Sequence, residues 1–164
     1  MPTLLVAVAS RHGATREIAE AVADTLRDEG LDVVVSDAAD VADVSGYDAV
    51  VVGSAVYVGR WLEPARDLVH EHADDLAARP TWLFSSGPIG DPPKPEAEDA
   101  VQISELADLV RARGHRLFSG KLDRSALGFG ERAVVLAFRA PEGDFRDWDE
   151  IATWSREIAA ALRA

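Results

Sequence analysis

Leu4-Leu5-Val6-Ala7-Val8-Ala9-Ser10-Arg11-His12-Gly13-Ala14-Thr15-Arg16-Glu17 joins a continuous apolar run, a short polar loop and the start of a helical pattern. The run reads as a strand buried on both faces. The loop sets two hydroxyls (Ser10 and Thr15), a glycine and several backbone N–H groups at the start of a helix. A first helical turn has unpaired donors and the positive end of the macrodipole, so this loop reads as an anion site.

The residues exclude the familiar nucleotide loops. A nucleoside-triphosphate loop needs G-x-x-x-x-G-K-[S/T], and no lysine lies nearby. A dinucleotide fingerprint needs three spaced glycines, and only Gly13 is present. A phosphoacceptor receiver domain needs carboxylates at its strand ends. Here those ends are Ala9-Ser10 and Gly53-Ser54. What is left is S-x-x-G-x-T (Ser10, Gly13, Thr15), which resembles the phosphate loop of flavodoxins. The alternative is a small polar turn without a ligand.

At 164 residues the chain predicts one domain, residues 1–164, large enough for a full core. The absence of cysteine removes disulfides, thiol catalysis and thiolate metal sites, so any redox role falls to an organic cofactor or another metal. A net charge of −12 argues against nucleic acid and anionic lipid as partners and would steer a basic redox partner inward. No apolar run is long enough to span a bilayer and no secretory leader pattern is evident, which predicts a cytoplasmic protein.

Strand and helix patterns alternate. Strands are predicted at Thr3–Ala9, Leu31–Ser36, Asp48–Gly53, Pro80–Ser85 and His115–Gly120. Helices are predicted at Ala14–Glu29, Glu63–Ala78, Glu96–Arg113 and Asp147–Arg163, with a short polar turn or helix around Ala38–Val44. Gly30 and Gly114 are expected to stop the first and third of these helices, and Pro64 suits a first helical turn. This alternation predicts an α/β, flavodoxin-like, doubly wound five-stranded parallel sheet of order 2-1-3-4-5 with helices on both faces. Ligands in such sheets sit at the carboxyl ends of the strands where the order reverses, between strands one and three.

Two further loops converge there. Gly53-Ser54-Ala55-Val56-Tyr57-Val58-Gly59-Arg60-Trp61 carries two aromatics around a glycine, and an aromatic face can wall a flavin ring. Tyr57 is expected at the ligand, while Trp61 reads equally as core. Ser85-Ser86-Gly87-Pro88-Ile89-Gly90-Asp91 offers amides of Gly87, Ile89 and Gly90 to the polar end of such a ring, since Pro88 has none. His12 could lend an N–H to a phosphate or be a solvated loop residue. His70 and His72 point apart on a helix, and His115 carries no signal.

S-R-H-G-A-T before a helix, then V-V-G-S-A-V-Y-V-G-R-W, resembles the flavodoxin-domain family that contains menaquinone-dependent protoporphyrinogen IX oxidase. The resemblance runs in order over nearly the whole chain. It implies FMN held by Ser10, Arg11, His12, Gly13, Ala14 and Thr15. Further contacts are implied from Ala55, Val56, Tyr57, Val58 and Gly59, and from Ser86, Gly87, Ile89 and Gly90. It also implies electron passage from a reduced small-molecule donor through FMN to a quinone or similar acceptor, with no catalytic side chain and no metal. Other readings are a flavodoxin serving redox protein partners and a flavin-free binding module. The long basic insertion of that oxidase corresponds here to Leu122–Phe145, which is shorter and holds few positive charges. Within it, Phe129–Phe138 is apolar with an ambiguous period; the resemblance and Pro141 favour a short helix, either packed at the sheet edge or docking an acceptor or second subunit.

Overall fold

The computed structural model describes residues 3–11, 13–57, 60–87, 97–118, 121–122, 143–144 and 146–163. Five parallel strands form the main sheet: β1 (Thr3–Ala9), β2 (Asp32–Asp37), β3 (Ala49–Tyr57), β5 (Thr81–Ser86) and β6 (Gly114–Phe118). A two-residue β4 (Arg60–Trp61) folds back antiparallel on β3. The order is β2-β1-β3-β5-β6, so β1 has β2 on one side and β3 on the other, and the switch point lies where expected. Lys121–Leu122 (β7) and Gly143–Asp144 (β8) pair separately. Phe129–Phe138 lies outside the described residues.

The apolar run of β1 divides by parity, as a strand covered on both faces must. Leu4, Val6 and Val8 join one core with Ile18, Val22 and Leu26 of α1 (Ala14–Asp28) and Ile151, Trp154 and Ile158 of α5 (Trp148–Arg163). Leu5, Ala7 and Ala9 join a second core with Ala65, Leu68 and Val69 of α2 (Glu63–Glu71), Leu76 of α3 (Ala73–Ala77) and Leu106 and Val110 of α4 (Ala97–Val110). Each layer of helices therefore seals one face of the sheet.

Gly30 stops α1 as expected: at φ 90° it lets the Leu31 N–H reach back to the Leu26 carbonyl at 3.2 Å. Three expectations need correction. Gly114 does not stop α4. Arg111, at φ 51°, takes the left-handed position, the Ala112 N–H returns to the Ala107 carbonyl at 2.9 Å, and Gly114 opens β6. The single helix over Glu63–Ala78 is two, α2 and α3, divided at His72 (φ −115°, ψ 21°). The i→i−4 bonds His72 to Leu68 and Leu76 to His72 persist through the break, so hydrophobic spacing gives no sign of it. Finally, β3 does not end at Gly53. Val56 pairs with Trp61 and Tyr57 with Arg60, so most of the supposed loop is a hairpin.

Candidate functional site

The carboxyl ends of β1, β3 and β5 lie side by side. Ala9 is in register with Ser54, and Ala55 with Ser86. The loop after β1 is shaped for an anion. Gly13, at φ 90°, turns the chain into α1, and an added Cβ there would meet nothing within 4 Å. The Ser10 hydroxyl oxygen accepts the Gly13 N–H at 3.0 Å, which fastens the turn. The first amide of α1 bonded within the helix is that of Glu17, to the Gly13 carbonyl at 3.0 Å. Those of Ala14, Thr15 and Arg16 precede it and have no earlier turn to receive them. The N-cap position is Gly13, and among the described residues no side-chain cap of α1 is seen. Thr15 is buried in the second helical position, while Arg11 is exposed. His12 lies outside the described residues. These residues fit a phosphate: open amides, a buried hydroxyl residue and a glycine that admits close approach.

The hairpin β3–β4 forms the second wall. Ala55 and Val56 are half-buried, Tyr57 ends β3, and Val58 and Gly59 lie outside the described residues. Ser54 anchors the base: its hydroxyl donates to the Ala55 carbonyl at 2.8 Å and accepts the Leu62 N–H at 2.9 Å. The structure settles Trp61. It is 1% exposed, packs in the core on the α2 and α4 side, and is not free to wall a ligand.

After β5, Ser86 is buried and Gly87 sits at φ 84°. The Gly87 N–H donates to the Phe118 carbonyl at 2.9 Å, so it is already engaged rather than offered to a ring. Ile89 and Gly90 lie outside the described residues. Among the described residues, no helix is long and apolar enough to cross a membrane.

A polar chain that sequence reading missed runs beneath the hairpin. The Trp61 indole N–H donates to Ser85 Oγ at 2.8 Å, and Ser85 Oγ meets His115 Nε2 at 2.9 Å. Ser85 Oγ has two acceptor lone pairs, so it takes the indole N–H and still meets His115 Nε2 as donor or acceptor according to the imidazole tautomer. Although much of His115 is exposed, this inward edge is desolvated, and burial lowers its pKa to about 4. Between about 6.5 and this lowered value the unfolded chain binds a proton that the native chain refuses, so His115's contribution to stability falls as pH falls. An NMR titration of the imidazole is expected to show a midpoint well below about 6.5; one at or above the ordinary value would contradict this burial.

A family model described as "Flavodoxin domain" matches residues 5–149. The chain belongs to the flavodoxin-domain family. This flavodoxin-domain chain is 25% identical over 175 residues to protoporphyrinogen IX dehydrogenase [quinone] of Escherichia coli (strain K12), covering 94% of the chain and 93% of that relative. Among solved structures it is similar to a flavodoxin from the domain Archaea (TM-score 0.63, 19% identity), over 99% of both chains. It is also similar to the rubredoxin oxygen:oxidoreductase of Desulfovibrio gigas, at TM-score 0.65 and 16% identity. That match spans 98% of this chain and 36% of the larger protein. These structural likenesses bear on the fold.

Proposed function

We propose that this chain binds one FMN and is an FMN-dependent oxidoreductase, passing electrons between a reduced small-molecule donor and a quinone or similar acceptor. The observation that carries the reading is the uncapped start of α1 behind the left-handed Gly13, set at the switch point of a flavodoxin-domain sheet. Ser10, Arg11, His12, Gly13, Ala14 and Thr15 would hold the phosphate. Ala55–Gly59 and Ser86–Gly90 would border the ring, with Tyr57 against it and the amides of Ile89 and Gly90 as donors. The bound flavin supplies the redox chemistry; the chain contributes position, charge and exclusion of water. The donor and acceptor named for the Escherichia coli relative, protoporphyrinogen IX and a quinone, are the first pair to assay.

Thr15→Val tests the phosphate loop. Loss of a hydroxyl from a partly desolvated anion is expected to weaken FMN about tenfold to a hundredfold, measured by fluorescence titration. Unchanged affinity would remove Thr15 from the site.

A second reading is an electron carrier between proteins. The net charge of −12 favours it, since it would draw a basic partner. Turnover of a quinone by the purified flavoprotein, with no partner protein added, separates the two.

A further inference from the structure

We propose that Arg146 is a positioning residue for the flavin phosphate: it neutralises Glu17 in the first turn of α1 and so keeps that turn attractive to a dianion. The inference rests on the FMN reading above. Arg146 stands just ahead of α5, far from α1 in sequence, yet its side chain is 5% exposed and reaches that turn. Nη1 lies 3.0 Å from Glu17 Oε1 and 3.3 Å from the Ala14 carbonyl. Its guanidinium carbon is 4.6 Å from the ring centroid of Trp148. Both α1 partners belong to the turn whose open amides face the loop.

Glu17 alone would be unwelcome there. Its carboxylate suits a helix N-terminus, but a phosphate at the same turn adds like charge at short range. Arg16 does not offset it, because that guanidinium is engaged with Asp37 and Glu20 on another side of the helix. Arg146 reaches Glu17 from the opposite end of the chain. The Arg146 side chain is 5% exposed and held in place, while the Glu17 carboxylate it reaches is 57% exposed, so the arginine is the fixed partner of a half-open pair.

The test is fluorescence titration with FMN and with riboflavin, which lacks the phosphate, alongside thermal unfolding of each variant. Arg146→Gln is expected to weaken FMN about tenfold and leave riboflavin unchanged. Arg146→Lys should retain most FMN affinity. Adding Glu17→Gln to Arg146→Gln should restore it, because the charge that needed neutralising is gone. Equal weakening of both flavins, or a double variant no better than the single, would overturn the proposal. If Arg146→Gln fails to fold, Glu17→Gln alone decides: it should tighten FMN selectively, and no change would overturn the role. A wild-type protein that binds riboflavin as tightly as FMN would sink the phosphate reading itself. Wild-type preference for FMN with an unaffected Arg146→Gln would sink only this role.

Discussion

Trp61→Ala is expected to destabilise the protein by about 3–5 kcal/mol, the usual cost of truncating a buried tryptophan. The side chain is 1% exposed and shares its core with α2 and α4. Its loss opens a cavity beneath the β3–β4 hairpin and removes the indole donor to Ser85. Trp61→Phe should cost less, since it keeps most of the ring and loses mainly the hydrogen bond. Chemical denaturation of both variants checks this. A stability loss under about 1 kcal/mol together with a large drop in flavin affinity would return Trp61 to the ligand wall.

The second large effect is Gly53→Ala. Gly53 is directly in register with Phe84, and a Cβ on Gly53 would lie 2.0 Å from Phe84 Cζ and 2.1 Å from Cε1. The ring cannot easily yield. It is fully buried, with its centroid 5.9 Å from that of Phe118 and 6.0 Å from that of Trp154. Overpacking commonly costs about 1–3 kcal/mol, and this contact calls for about 3 or more. The melting temperature should fall by roughly 6–12 °C on that basis. Adding Phe84→Leu should recover part of the loss, because the shorter side chain withdraws from the new methyl group. A loss below about 1 kcal/mol would mean that the aromatic cluster is looser than its geometry indicates.

Local signals made much of this fold legible. Leu4–Ala9 reads as a strand covered on both faces, and parity divides it between the two cores as that reading requires. Alternating strands and helices were enough for the sheet order, because right-handed crossovers leave few topologies. Gly13 and Gly30 were readable because positive φ favours glycine. Arg111 was not, since nothing local marks an arginine for the same role. The hairpin was hidden because two aromatics around a glycine, Tyr57 and Trp61, read as a loop, and nothing in their spacing shows that Val56 pairs with Trp61.

The candidate site divides the same way. The proposed phosphate loop, Ser10–Thr15, is contiguous in sequence, so its candidate residues can be named together. The engagement of the Gly87 amide by Phe118, the Trp61–Ser85–His115 chain and the reach of Arg146 to α1 are contacts between distant segments. No periodicity or spacing carries them. They follow from packing, which exists only once the sheet has assembled.

The turn from Ser10 to Thr15 is proposed to hold the phosphate of a flavin. The ratio of dissociation constants for riboflavin and FMN, measured on the wild-type protein by flavin fluorescence, tests it most directly. With several charge-assisted bonds at stake, FMN is expected to bind about a hundredfold or more tighter than riboflavin. Equal affinity for the two, or no binding of FMN, would contradict the account.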